Sequence, residues 1–513
     1  MGSELSTLEN VNQRNRSVDR SNNTVTRKGK PGRRQKQQDI DIVAIDVVIL
    51  VINHFFPMLN QWFNAINDPR DSKRVTYSVI HLIYETMLMF LLQLGSRNQL
   101  RQEKKSELFR KNLLVLSGSN EDFVADTDTL NYLLKFLPFE ELEVIPSQMV
   151  RSLIRGKVLD SFRFEGCFRI AIDGVNVLSF PYKHCDKCLV KKHNDKHTTY
   201  HHDVLEAKLV TSTGLAFSLI SIPIENIDGE YDKQDCETKA FYRLTEVLRA
   251  RFPKLPICLL LDGLYTQQHV FKICEKNNWS FFITFKEGSL PIMHEEFERQ
   301  KALHSENYLQ EDDGQFIINY YWAHNLSHKK NTVHVIEARH TEKNQSRRKN
   351  QTKQRNNIFK YITDLRPEKV NIKQFINLGG RQRWKIENSG FNVQKNKGYE
   401  LEHNYGAVNG AWKNYYSIMQ ISHIIMQLIT NTDIVEKTQR IKAEQKANKN
   451  LSQYERKKLI SLCLTFHQAY NTVRNFAKRL AESIRNELFS DFALSEALAH
   501  SIQIRFIEKG PAP

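Results

Sequence analysis

Cysteine is scarce in this chain, and long uninterrupted apolar runs are missing. Seven cysteines among 513 residues do not make the framework of a small disulfide-stapled fold, and only Cys185 and Cys188 are close in sequence; a reducing cytoplasm fits. No stretch reaches the roughly 18 unbroken apolar residues of a membrane-spanning helix. The two longest candidates, 42–56 and 79–95, are broken by Asp46 and Glu85, so both are read as buried helices. The start of the chain lacks an apolar secretory core. No glycine-rich phosphate loop follows the first apolar strand, which excludes a dinucleotide-binding reading. What the chain has is positive charge: a net +16 and a pI near 9.3. An anionic partner is expected, with nucleic acid foremost, because phosphate neutralisation by Lys and Arg dominates that affinity.

Residues 1–38 are polar and basic, with Arg27, Lys28, Lys30, Arg33, Arg34 and Lys36 together. They hold too little apolar surface to offset the entropy of ordering, so a disordered basic arm is expected. Residues 39–160 read as helices, including 127–136 stopping before Pro138 and an amphipathic stretch at 149–159; this is the expected DNA-binding region, with a purely structural helical domain as the competing reading. From Phe168 the period changes. Strands are expected at 168–180, 203–211, 215–224, 257–262 and 279–285, with helices at 238–251 and 266–277. Residues 288–367 are expected to be a β-rich insertion with strands at 316–322, 332–339 and 357–365. Its loop carries Lys343, Arg347, Arg348, Lys349, Lys353 and Arg355. Residues 368–408 carry a further helix around Glu387, and 409–513 read as helical.

Chemistry is suggested by carboxylates at three separated places. Asp173 and Asp262 each end an apolar strand and precede a glycine. One such Asp is most simply a turn cap; two, on the first and fourth strands of this order, point to metal ligands, because a carboxylate there needs a partner. Glu387 shares a helix face with Arg383, Phe391 and Lys395 at spacings of four. Hard oxygen donors of this kind suit two Mg²⁺ or Mn²⁺ ions. A separate cluster, Cys185-x2-Cys188-x4-His193-x3-His197, has zinc-like spacing, with His184, His201 and His202 as rival ligands and a plain polar loop as the alternative.

The element order β-β-β-α-β-α-β with a middle antiparallel hairpin is similar to that of an RNase H-like core. With Asp173, Asp262, and Arg383 four residues before Glu387, the chain resembles the DDE transposases of bacterial insertion sequences, in the group with a β-strand insertion between the second Asp and the Glu. That group's signature is Tyr-x2-Arg-x3-Glu-x6-Lys. Here Gly380 stands at the Tyr position and Gln394 at the Lys position, with Lys395 one residue on, and Tyr265 follows the second Asp by three. The resemblance spans residues 165–405. It implies catalytic Asp173, Asp262 and Glu387; DNA contacts from Arg383, Lys395 and Tyr265; double-stranded element ends and target DNA as partners; a homodimer on the DNA; and a bacterial, nucleoid-associated location. The like charge of Arg347, Arg348 and Lys349 makes their loop a further expected DNA contact. A domesticated DNA-binding relative and a purely hydrolytic nuclease on the same fold are the alternatives.

Overall fold

Asp46 and Glu85, the two acids that interrupt the long apolar stretches, are both buried in helices, Ala44–Phe55 and Val79–Leu91. Each has an internal cation: Asp46 pairs with Lys442, and Glu85 with Lys104, whose Nζ also donates to the Ala125 carbonyl at 2.5 Å. Burial lifts the Glu85 carboxyl to about 7 in spite of Lys104. These facts come from a computed structural model, which describes residues 44–118, 123–193, 197–226, 233–328, 331–343, 356–406, 410–446, 452–489 and 501–507. Among them no helix is long and apolar enough to cross a membrane. The basic arm expected at 1–38 lies outside the described residues, as do Arg347, Arg348 and Lys349.

The helix Thr127–Phe136 starts where the side chain of Asp126 accepts from Asp128 N, and it stops before Pro138, as its sequence requires. The stretch read as a short helix at 149–159 is the second half of a longer one, Phe139–Arg155, which tolerates Pro146 inside it.

Ten strands among the described residues form one mixed sheet. In chain order they are β1 Phe168–Phe180, β2 Leu189–His193, β3 His197–Val210, β4 Ala216–Ile224, β5 Ile257–Leu261, β6 Ser280–Thr284, β7 Tyr308–Asp312, β8 Phe316–His328, β9 Asn331–Glu342 and β10 Asn356–Thr363. Their lateral order is β2-β3-β1-β5-β6-β10-β9-β8-β7, with β4 pairing β3. β1 pairs antiparallel with β3 and parallel with β5; β5 is parallel to β6. Every residue of β5 is buried, the pattern of a parallel strand covered on both faces. β10 joins β6 antiparallel, so the inserted strands extend the same sheet. The insertion also holds a helix, Pro291–Leu303, and the strand β7, neither of which its sequence announced.

The helix Ala411–Asn431 is buried along nearly its whole length. One of its faces carries Tyr416, Gln420, His423 and Gln427 at helical spacing, and this face reads the sheet through hydrogen bonds. Tyr416 Oη donates to Glu206 Oε2 at 2.9 Å, Gln420 Oε1 accepts from Lys208 Nζ at 2.7 Å, and Gln427 bonds both backbone groups of Ala216. Glu206 and Lys208 of β3 are completely buried and paired at 3.3 Å, and Ser218 and Ser221 of β4 also donate to Glu206. Burial pushes the Lys208 ammonium below its usual range while Glu206 opposes the shift. Removing one member of such a pair leaves the other charge stranded. Lys208→Ala should therefore cost about 3–5 kcal/mol in urea unfolding; a loss within experimental error would show that the pair does not support the fold.

Candidate active site

Four parallel pairs join β1 to β5, and the last is Ala171 with Leu260. Two residues further along each strand stand Asp173 and Asp262. β5 ends at Leu261 and turns into the short helix Gly263–Tyr265, with Asp262 at its cap position. β1 continues, paired only to β3. The two aspartates thus leave neighbouring strands at the same level, where adjacent strands run about 4.8 Å apart.

Glu387 sits in an irregular helical stretch. A π-helical turn Phe375–Gly379 passes into a 3₁₀ turn Gly380–Arg383, and a second π-helical turn covers Ile386–Phe391. Such turns recur at functional sites because they re-aim side chains. The turn with Glu387 packs on β1 and β4. Arg383, almost fully buried, donates to Asp173 Oδ2 at 2.9 Å, and Gly174 N donates to Asp173 Oδ1 at 3.1 Å. Burial raises the Asp173 carboxyl to about 6; Glu237 and Glu387 add to the rise, while Arg383 and the Gly174 amide oppose it.

Glu237 is a fourth acid that the sequence did not mark. It is the first residue of the helix Glu237–Arg251, an ordinary place for an acid at a positive helix end. Its Oε1 accepts from Tyr265 Oη at 2.7 Å, and its Oε2 lies 3.0 Å from where a Cβ on Gly174 would be. A side chain at 174 would have to push that carboxylate back by a few tenths of an ångström. A cleft of about 400 Å³ runs beside this acid, lined by Gly174, Asn176, Lys191, Asp203 and Glu237 among others. Tyr265, expected at the DNA, is 1% exposed; it holds Glu237 instead. Burial and the nearby Glu237, Asp173 and Asp262 carboxylates push its phenol up. Among the described residues the cations paired with these acids are Arg383, on Asp173, and Lys286, 3.5 Å from Asp262 Oδ1. That leaves the cluster short of positive charge, and its donors are hard oxygens of the type divalent ions take. Among the described residues no three of the acids bring an oxygen each within 4.8 Å of the others. One ion could not take three of them as they stand.

Two departures from the signature have physical reasons. At Gly380 a Cβ would lie 2.5 Å from the ring of Tyr361, which comes from β10 and fills the space. Gln394 is fully buried and donates to Gln420 Oε1 at 2.7 Å, with His423 Nδ1 at 3.0 Å, so that position faces the helix Ala411–Asn431. Lys395, one residue round, is partly exposed and pairs with Glu402 at 2.7 Å.

The zinc set expected from spacing does not assemble. His193 and His197 face each other across β2 and β3, rings stacked 4.5 Å apart, and His193 Nε2 meets Thr199 Oγ1 at 3.0 Å. They lie four residues along the strand from the Leu189–His201 pair, about 13 Å at strand rise. Cys185 is instead grouped with His184 and His202.

No protein-family model matches the chain, and no curated protein matches it.

The raised Asp173 carboxyl makes a stability prediction with a definite sign. The folded state keeps the proton from pH 3.8 to about 6, a range in which the unfolded state loses it. Stability is therefore lost as pH rises through that window, by at most about 3 kcal/mol and less because the side chain is partly solvated. Asp173→Asn should raise the urea midpoint at pH 8 and leave it nearly unchanged at pH 3.5. A gain of equal size at both values would contradict the charge argument.

Proposed function

We propose that the chain is a DDE-type DNA transposase built on an RNase H-like core, which cuts the ends of its own element and joins the exposed 3′-hydroxyl to target DNA. The observation that carries this reading is the placement of Asp173 and Asp262 at one level on adjacent parallel strands, with the Glu387 turn packed on the first of those strands. The lateral order β4-β3-β1-β5-β6, three strands antiparallel and then two parallel, supports the RNase H-like assignment.

Asp173, Asp262 and Glu387 would hold two Mg²⁺ or Mn²⁺ ions, with Glu237 beside them. Such a pair supplies activation of the attacking oxygen and stabilisation of the leaving one. The chain's own residues do the positioning. Arg383 holds Asp173 in place and presents a fixed fork of donors next to the acids, which suits a phosphate. Tyr265 fixes Glu237 through its hydroxyl. Lys286, exposed and 3.5 Å from Asp262, adds a second cation on the side of the second Asp. The net charge of +16 favours duplex DNA, and holding two ends at once calls for a homodimer on that DNA. A bacterial nucleoid-associated location follows from the same reading.

Asp173→Ala, Asp262→Ala and Glu387→Ala should each abolish Mg²⁺-dependent nicking of end-containing duplexes while leaving DNA retention in a gel-shift assay nearly intact. Products longer than the input strand in a strand-transfer assay separate a transposase from a nuclease that only hydrolyses. Full nicking by Asp262→Ala would sink the assignment. Wild-type protein that binds ends without cutting them would favour a domesticated DNA-binding relative.

A further inference from the structure

The segment between β1 and β2 folds His184 and Cys185 onto His202 of β3. One ligand atom from each lies within 4.8 Å of the other two. His202 Nε2 is 3.3 Å from Cys185 Sγ, and the His184 and His202 rings meet edge to face at 5.0 Å. A tetrahedral ion with arms of about 2.3 Å to sulfur and 2.0–2.1 Å to nitrogen has S···N edges of about 3.6 Å, close to the distance already present. His202 is 1% exposed. Neither ring nitrogen of His184 has a hydrogen-bond partner in good geometry, although both atoms are shielded from solvent, and His202 Nδ1 is in the same position. Buried polar atoms left this way are costly. The carboxylate of Glu225 stands 3.8 Å from His202 Nδ1, on the side where metal-bound imidazoles keep an orienting acid.

We propose that His184, Cys185 and His202 form a structural Zn²⁺ site, completed by Cys188. The Cys188 thiol is 2% exposed and now donates to the Cys185 carbonyl at 3.0 Å. It turns from that carbonyl to the ion on binding, and both thiols release their protons to solvent. Two thiolates and two imidazoles in a closed set select tetrahedral zinc over the harder ions of the carboxylate cluster.

The ion ties the segment to β3, and the effect reaches the acids. Asn226 binds the segment through Lys187 O at 3.0 Å and Cys188 O at 2.9 Å. Gln234 bonds both backbone groups of Val190. Asn226 Oδ1 also accepts from Asp235 N at 3.1 Å, two residues before Glu237. The site thus braces the backbone that leads into the helix of the fourth acid. None of this depends on the transposase reading.

Full-length untagged protein grown with zinc should carry about one equivalent by elemental analysis. Replacement by Co²⁺ should give the thiolate charge-transfer band and the visible absorption of a tetrahedral site. Cys185→Ser and His202→Ala should lower zinc below about a tenth of an equivalent, whereas His193→Ala and His197→Ala should keep it. The cobalt spectrum of wild-type protein stands even where a variant fails to fold. Wild-type protein with under a tenth of an equivalent and no such spectrum overturns the proposal. So does full zinc retention in Cys185→Ser, or zinc loss in folded His193→Ala.

Discussion

A slip of one residue between β1 and β5 would turn Asp173 and Asp262 to opposite faces of the sheet. Four backbone pairs, from Phe168–Ile257 to Ala171–Leu260, hold that register, and the apolar side chains of both strands enforce it by burial on each face. Everything else at the site is brought to this fixed pair. The helix of Glu237 approaches the neighbouring Gly174, and the turn with Glu387 packs on β1. Burying a carboxyl here is unfavourable to the fold, and repulsion from Glu237 and Glu387 adds to the cost, as the lifted Asp173 carboxyl records. Arg383 offsets part of that repulsion, and the remainder is a preference for added positive charge.

Beside the acids lies a hydrogen-bonded polar network. Glu206 is opposite Asp173 in the β1–β3 register, yet its two oxygens accept from Lys208, Ser218, Ser221 and Tyr416. A fully bonded network of this kind fixes one arrangement of its members, whereas a partly bonded one does not. It joins β3 and β4 to the helix Ala411–Asn431, and through Gln394 and Gln420 to the stretch that carries Glu387. The position of Glu387 is thereby linked to a helix from the far end of the sequence.

The long apolar runs made β1, β5 and the helices around Asp46 and Glu85 legible, because burial on all sides leaves a composition signal. β2 escaped notice because Leu189–His193 is mostly Lys and His on a half-exposed strand. The helix Pro291–Leu303 buries only Met293 and Phe297, too few for a clear period. The carboxylates at 173, 262 and 387 could be picked out from their places at strand ends and beside Arg383. Glu237 could not, since an acid at a helix start is ordinary. Cys185 and Cys188 stood out by spacing, but which imidazole meets Cys185 depends on strand phase: His201 and His202 are adjacent and face opposite sides of β3, and only His202 turns inward.

The sheet is closed late. β6 ends at Thr284, but the strand that covers its outer edge does not begin until Asn356. During synthesis the ribosome must release the whole inserted segment before that edge finds its partner. Until then β6 offers an apolar row, Ser280–Thr284, with unpaired backbone groups, which is a template for wrong pairing with another chain. The hairpin β8–β9 closes locally and can form first, ready to deliver β10 to the waiting edge.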